Sequence, residues 1–267
     1  MTILFIGDIF GSPGRRLVLA SARALAQEHG AELVIANGEN AAAGYGITPA
    51  LADELLAAGI DVLTGGNHTF DRKEILPYFE HGAASGRVLR PANYPSSTPG
   101  RGLYIGATAA GTPDSGTRYA VLNLQGRVFM GAIDCPFKTA DRLLAEIPEE
   151  IKVRIVDVHC EATSEKQALG RYLDGRVSAV LGTHTHVPTA DERILAGGTA
   201  FITDVGMTGP YDSVIGNDIE GVLRRFLTGL PTRLEVGDGD ARLCGVLLDI
   251  DAATGRARCI ERISVSR

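Results

Sequence analysis

Residues 60–71 read IDVLTGGNHTFD. The run Ile60 to Thr64 (IDVLT) is strand-length with an apolar centre, stops at Gly65-Gly66, and is followed at once by Asn67 and His68. A short apolar run ended by glycine reads as a buried strand. Polar groups just past a strand's carboxyl end are where open α/β sheets place their ligands. The same grammar recurs along the chain. Asp8 follows ILFIG. Asn37, Glu39 and Asn40 follow ELVIA. His159 and Glu161 follow RIVDV, and His184 and His186 follow AVLG and Thr183. Five polar clusters at strand ends can converge on one site.

The segments between these clusters alternate helix and strand. Thr2 to Gly7 reads as a strand. Ser12 is placed to cap a helix with Pro13 in its first turn, running to about His29. Glu32 to Ala36 is a second strand, and Thr48-Pro49 opens a helix that ends near Gly59. This rhythm implies parallel strands joined by crossovers. From Gly82 to Gly116 the prolines Pro91, Pro95 and Pro99, with several Gly and Ser, predict loops and turns. Tyr119–Leu124 and Arg127–Ile133 flank Gln125-Gly126, which predicts a hairpin. Helices are expected at Lys138–Glu146, Glu165–Leu173 and Asn217–Leu227, and strands at Val153–Val158, Val177–Leu181 and Phe201–Thr203. Cys244–Ile250 and Ala257–Val265 form a last strand pair turned by Thr254-Gly255. No linker separates two units, so one domain over residues 1–267 is expected.

Composition bounds the function. Hydrophobic residues are 45% and charged residues 22%, Trp is absent and aromatics are 6%, so an aliphatic core is expected. The formal net charge of -6 argues against long nucleic acids, whose affinity comes largely from counterion release. A small anionic ligand then needs local positive charge, and bound metal ions supply it. Met1 leads straight into an apolar run without a basic segment, and no apolar stretch reaches the roughly 18 residues of a membrane span. A cytoplasmic protein without a membrane partner is expected. A homo-oligomer stays open, because oligomeric state depends on surface patches that a sequence does not display. Cys135, Cys160, Cys244 and Cys259 form no CxxC pair and are expected as buried, reduced thiols. Cys160 adjoins His159, but no separate His–Asx pair is evident to activate it.

The histidines carry the chemistry. Of six, His68, His159, His184 and His186 fall at strand ends, interleaved with Asp, Glu and Asn. In an extended segment the two rings of His184-Thr185-His186 point the same way, towards one metal or two adjacent ones. Asp8 and Glu39 add charge, either being able to bridge two cations, and Asn67 adds a neutral oxygen. A mixed nitrogen and oxygen set without thiolate suits Fe, Mn, Zn or Co. Two such ions acidify water, polarise phosphoryl oxygens and stabilise charge on the attacking and leaving oxygens. His68, beside Asn67, is the candidate acid for a leaving alkoxide.

The order Asp8, Gly38-Glu39-Asn40, Gly66-Asn67-His68, His159, His184-Thr185-His186 resembles the calcineurin-like metallophosphoesterases. The stretches GDIFGSPGR, ANGENAAAGYGIT, TGGNHTFD, DVHCEATSEK and GTHTHVPTAD resemble more narrowly the bacterial YmdB-like branch, over nearly the whole chain. The resemblance implies a four-layer αββα sandwich, an α/β fold of two mixed β-sheets flanked by helices. It implies a dinuclear site, with Fe or Mn as metals, and phosphodiesterase activity on 2′,3′-cyclic nucleotides. It places Asp8 and His186 on the first metal, Asn67, His159 and His184 on the second, and Glu39 between them. Asn40 would lie against the first metal or a phosphate oxygen, and His68 would be the leaving-group acid. Two departures matter. The usual Asp-x-His has Ile9 and Phe10 after Asp8, so one imidazole is missing, and Glu39 stands where the bridging Asp is usual.

Three functions follow: a phosphodiesterase on small cyclic nucleotides, a phosphomonoesterase with the same metal chemistry, or a regulatory protein that senses metal or phosphate without turnover. Among the remaining residues, Ser12 to Arg16 could hold a phosphate at a helix N-terminus. Phe10 and Tyr45 could stack on a base or simply pack. Glu161 could orient a ligand histidine.

Overall fold

The computed structural model describes residues 1–82, 84–108 and 116–266. In chain order the elements are β1 (Thr2–Ile6), β2 (Asp8–Ile9), α1 (Gly11–Glu28), β3 (Leu33–Asn37), α2 (Pro49–Ala57), β4 (Val62–Thr64) and α3 (Ile75–His81). There follow β5 (Leu103–Ala107), β6 (Arg118–Gln125), α4 (Pro136–Glu146), β7 (Val153–His159), α5 (Thr163–Leu173) and β8 (Ala179–Thr183). The chain ends with β9 (Arg193–Ile194), β10 (Ala200–Ile202), β11 (Met207–Pro210), α6 (Ile219–Thr228), β12 (Ala241–Ile250) and β13 (Ala257–Ser266).

Two sheets form. In the first, β1, β3 and β4 run parallel, β12 lies antiparallel on the free edge of β1, and β13 pairs the far edge of β12. The short β11 pairs the start of β12 and takes β2 alongside it. In the second, β6, β7, β8 and β10 are parallel, with β5 and β9 as antiparallel edges.

Side-chain alternation then sets the layers. From β1, Ile3 and Phe5 meet Val121, Ile155, Leu181 and Ile202 of the second sheet. Leu4 and Ile6, on the other face, pack on Val18 and Ala22 of α1 and Leu55 of α2. The outer face of the second sheet, with Leu122, Val156 and Val180, is covered by Leu143 of α4 and by Leu169 and Leu173 of α5. The result is the expected helix, sheet, sheet, helix sandwich. Strand β1 reads as an unbroken apolar run because both of its faces are buried.

Three expectations fail locally. Arg127–Ile133 is not a strand. Both edges of β6 are taken, by β5 and β7, so a hairpin partner has nowhere to pair. The freed Arg127 and Val128 N–H groups donate instead to the Glu165 carboxylate at 3.0 and 3.1 Å. The stretch expected as loops from Gly82 to Gly116 contains β5, a five-residue edge strand (its residues 83 and 109–115 lie outside the described ones). Ser12 does not cap α1. The cap position is Phe10, which makes no side-chain cap bond, and the Ser12 hydroxyl instead accepts from Arg16 at 3.3 Å. By contrast Thr48-Pro49 opens α2 as expected, and the Thr48 hydroxyl caps it, accepting from the Leu51 N–H at 3.4 Å.

The cysteines are all free, with Cys160 and Cys244 buried. Cys259 is exposed and Cys135 half-buried, contrary to expectation. Among the described residues no helix is long and apolar enough to cross a membrane.

The Phe5 ring is fully buried between the sheets, whereas Phe226 on α6 is 81% exposed. Phe5→Ala is therefore expected to lower unfolding free energy by about 3–5 kcal/mol in a urea titration. Phe226→Ala should stay within about 0.5 kcal/mol of wild type. Comparable losses for the two would contradict the layer assignment.

Candidate metal centre

The strand ends of both sheets meet. Asp8 is in β2, Glu39 and Asn40 follow β3, Asn67 and His68 follow β4, His159 ends β7, and His184 and His186 follow β8. Glu39, His159 and His184 bring one ligand atom each within 4.8 Å of one another. At their centre is His159 Nε2. It lies 2.9 Å from Glu39 Oε1, 3.0 Å from Asn67 Oδ1 and 3.0 Å from His184 Nδ1.

Hydrogen bonds behind these rings fix which nitrogen faces the site. The Thr183 hydroxyl donates to Asp157 Oδ1 at 2.7 Å, so at 2.9 Å it accepts from His159 Nδ1–H. The neutral His159 ring thus presents a bare Nε2 lone pair to the centre. His184 Nε2 is 3.0 Å from Glu161 Oε2, which leaves Nδ1 as its inward lone pair. His186 Nδ1 donates to the Ile215 carbonyl at 2.8 Å, which leaves Nε2 free. Each imidazole therefore has its rear nitrogen committed to an acceptor, the arrangement that orients metal-ligating histidines. When His159 is neutral, its Nε2, His184 Nδ1, a carboxylate oxygen and an amide oxygen crowd together as acceptors without a donor. A cation among them resolves the repulsion.

Asp8 and His186 lie outside the three-residue cluster. Asp8 is fully buried, 3.8 Å from His159 Nδ1, and its Oδ2 accepts from the His184 N–H at 3.3 Å. The Asp8 Oδ1 and Asn40 Oδ1 atoms are buried without a hydrogen-bond partner, which buried polar atoms rarely are. Phe10 occupies the position of the family's missing imidazole. Its ring meets His186 edge-on at 5.4 Å and is 3% exposed, so it packs and offers no face to a base. Tyr45 is half-buried, with its ring edge-on to His68 at 5.2 Å. His68 is partly exposed, with Nδ1 2.7 Å from Asp71 Oδ2, and its backbone N–H donates to Glu39 Oε2 at 2.9 Å.

The electrostatics run the same way. Burial raises the Asp8 carboxyl well above the usual range; His159 opposes this, while Asp204, Glu39 and Asp157 add to it. Burial alone would raise Glu39 too, but the charge and hydrogen bond of His159, with His68 beside it, hold it at about 2. Burial would lower His159, yet Glu39, Asp8 and Asp157 outweigh it and push the ring up to about 9. His184 is pushed down to about 3 by burial and by the neighbouring His159. Burial also lowers His186 and raises Asp157. A cation and a proton compete for His159 Nε2, since metal ligands must be deprotonated. Burial pushes the Cys160 thiol up, which removes it as a nucleophile.

Several residues of the site were not singled out from the sequence. Asp157 sits two positions before His159 on the same strand face and also binds Asn37 at 3.0 Å and the Thr64 hydroxyl. Its place in RIVDVH was the available signal, since a charge inside a buried strand needs partners. Asp71 is three residues after His68, one turn away. Gly66 is required by space. A Cβ there would lie 2.2 Å from His159 Cδ2 and 2.4 Å from Glu39 Oε2.

Comparison with known proteins places the chain in a family. The family model described as YmdB-like protein matches residues 4–263. The Bacillus subtilis (strain 168) protein named 2′,3′-cyclic-nucleotide 2′-phosphodiesterase is 49% identical over 267 residues, covering 100% of this chain and 97% of that one. A crystal structure of a hypothetical protein from Thermus thermophilus superposes with a TM-score of 0.90 at 43% identity, over 100% of this chain and 99% of that one. A Mycoplasma pneumoniae structure described as a novel phosphatase gives a TM-score of 0.90 at 33% identity, over 100% and 93% of the two chains. With its four-layer metallophosphoesterase fold and a match over almost its full length, the chain belongs to the YmdB-like protein family.

Proposed function

We propose that this chain is a metal-dependent phosphodiesterase that hydrolyses 2′,3′-cyclic nucleotides at the 2′-oxygen. The single observation that carries the metal reading is the convergence of Glu39 Oε1, Asn67 Oδ1 and His184 Nδ1 on His159 Nε2 at 2.9, 3.0 and 3.0 Å. Family membership and the names of its relatives make the chain a phosphoric ester hydrolase. The Bacillus subtilis relative supports the narrower substrate.

In this reading Asp8, His186 and Asn40 would hold one cation, Asn67, His159 and His184 would hold a second, and Glu39 would serve both. The mixed nitrogen and oxygen set suits Fe, Mn, Zn or Co, and the family resemblance favours Fe or Mn. When bound, such a pair neutralises phosphoryl oxygens and activates water for attack on phosphorus. The chain's own groups do the rest. His68, partly exposed, delivers a proton to the leaving 2′-oxygen, and Asp71 fixes the ring from Nδ1 so that Nε2 faces outward. Water adds its oxygen to phosphorus, the P–O2′ bond breaks, and the product carries a 3′-phosphate and a free 2′-hydroxyl.

Two experiments test this. Glu39→Gln and Gly66→Ala should each remain folded, while metal content by mass spectrometry and 2′,3′-cyclic AMP hydrolysis fall together by at least ~100-fold. Wild-type metal and rate in both variants would sink the metal reading. His68→Ala should slow hydrolysis of 2′,3′-cyclic AMP by about 10²–10⁴-fold. It should leave a p-nitrophenyl phosphodiester nearly unaffected, because that leaving group needs no proton. Equal losses on both esters would exclude the acid role.

A further inference from the structure

His184 and His186 both adopt backbone angles that residues with a Cβ rarely take, φ +95° and +66°. Such residues persist only where their surroundings over-determine them. Between them, Thr185 is tied to one fully buried carboxylate. Asp204 Oδ2 accepts from the Thr185 N–H at 3.0 Å and from the Thr185 hydroxyl at 2.7 Å. The same oxygen accepts from Lys166 Nζ at 2.8 Å, and Lys166 also donates to Thr185 Oγ1 at 3.3 Å. Lys166 comes from α5 and is 1% exposed. Asp204 Oδ1 accepts from the Gly206 N–H at 2.8 Å, which ties the segment after β10 into the same cluster. The two segments approach closely enough that a Cβ on Gly182 would lie 1.7 Å from the Thr203 carbonyl oxygen.

We infer that Lys166, Thr185 and Asp204 are positioning residues: a closed triangle of hydrogen bonds that holds His184 and His186 in their left-handed conformations and so aims both imidazoles. Its purpose rests on the metal reading above, but its mechanical action does not. Without the triangle the segment is free to relax to ordinary backbone angles, which swings both rings. Lys166 also supplies the cation that a fully buried Asp204 needs.

The test compares Thr185→Val, Thr185→Ser and Lys166→Met by amide hydrogen exchange in chelator-treated protein and by Mn²⁺ titration. Thr185→Val should accelerate exchange at residues 184–187 about tenfold and weaken Mn²⁺ binding about tenfold, with the global melting temperature kept. Lys166→Met should act in the same direction. Thr185→Ser, which restores the hydroxyl, should stay within about twofold of wild type on both readouts. Wild-type exchange and wild-type Mn²⁺ affinity in Thr185→Val would overturn the inference, as would equal losses in the Val and Ser variants. Faster exchange in Thr185→Val from a wild-type protein that binds no Mn²⁺ would uphold the triangle and overturn the metal reading instead.

Discussion

Asp8, Glu39, Asp157 and Asp204 are all buried where the two sheets meet, and the side chains among them able to carry positive charge include Lys166 and, when protonated, His159. Like charges in a low-dielectric interior repel strongly, and an unpaired buried carboxylate is expensive. Lys166 balances Asp204. For the other three, the protein offers His159 and a set of neutral hydrogen bonds. The fold gathers these acids at one end of both mixed sheets, and in the proposed reading a pair of cations would offset their charge. The sandwich, the glycine-rich turns and the oriented imidazoles are the means by which the chain holds that charge together.

Much of this was legible in the sequence. A buried parallel strand is apolar throughout, so Ile3 to Ile6 and Val62 to Thr64 announce themselves, and the polar residue that ends each run marks the site edge. The illegible parts depended on tertiary pairing. Arg127–Ile133 looks like a strand, but the edges of β6 were already taken, and only the partner assignment reveals that. Asp157 was hidden because it interrupts a strand pattern without ending it. Its partners, Asn37, Thr64 and Thr183, come from three other segments. Lys166 lies in a helix whose other face is polar, and nothing local distinguishes it from a solvated lysine.

The departures from the broader superfamily have a structural sense. Phe10 takes the place of a missing imidazole and packs its ring against His186, so the position became a wall for a ligand histidine. Asn40 brings an unpartnered buried oxygen to the same neighbourhood. Glu39 reaches from β3 to touch both His159 and the His68 backbone, a span suited to its longer side chain. The first cation in the proposed reading is thus held with less nitrogen and more oxygen than the usual motif implies.

The most direct test of the central claim is an anomalous-difference map from crystals grown with Mn²⁺. The account predicts two peaks about 3.5–4 Å apart, one against Asp8 and His186 and the other against Asn67, His159 and His184, with Glu39 between them. No peak in well-ordered crystals, with His159 Nε2 bonded directly to Glu39, would contradict it.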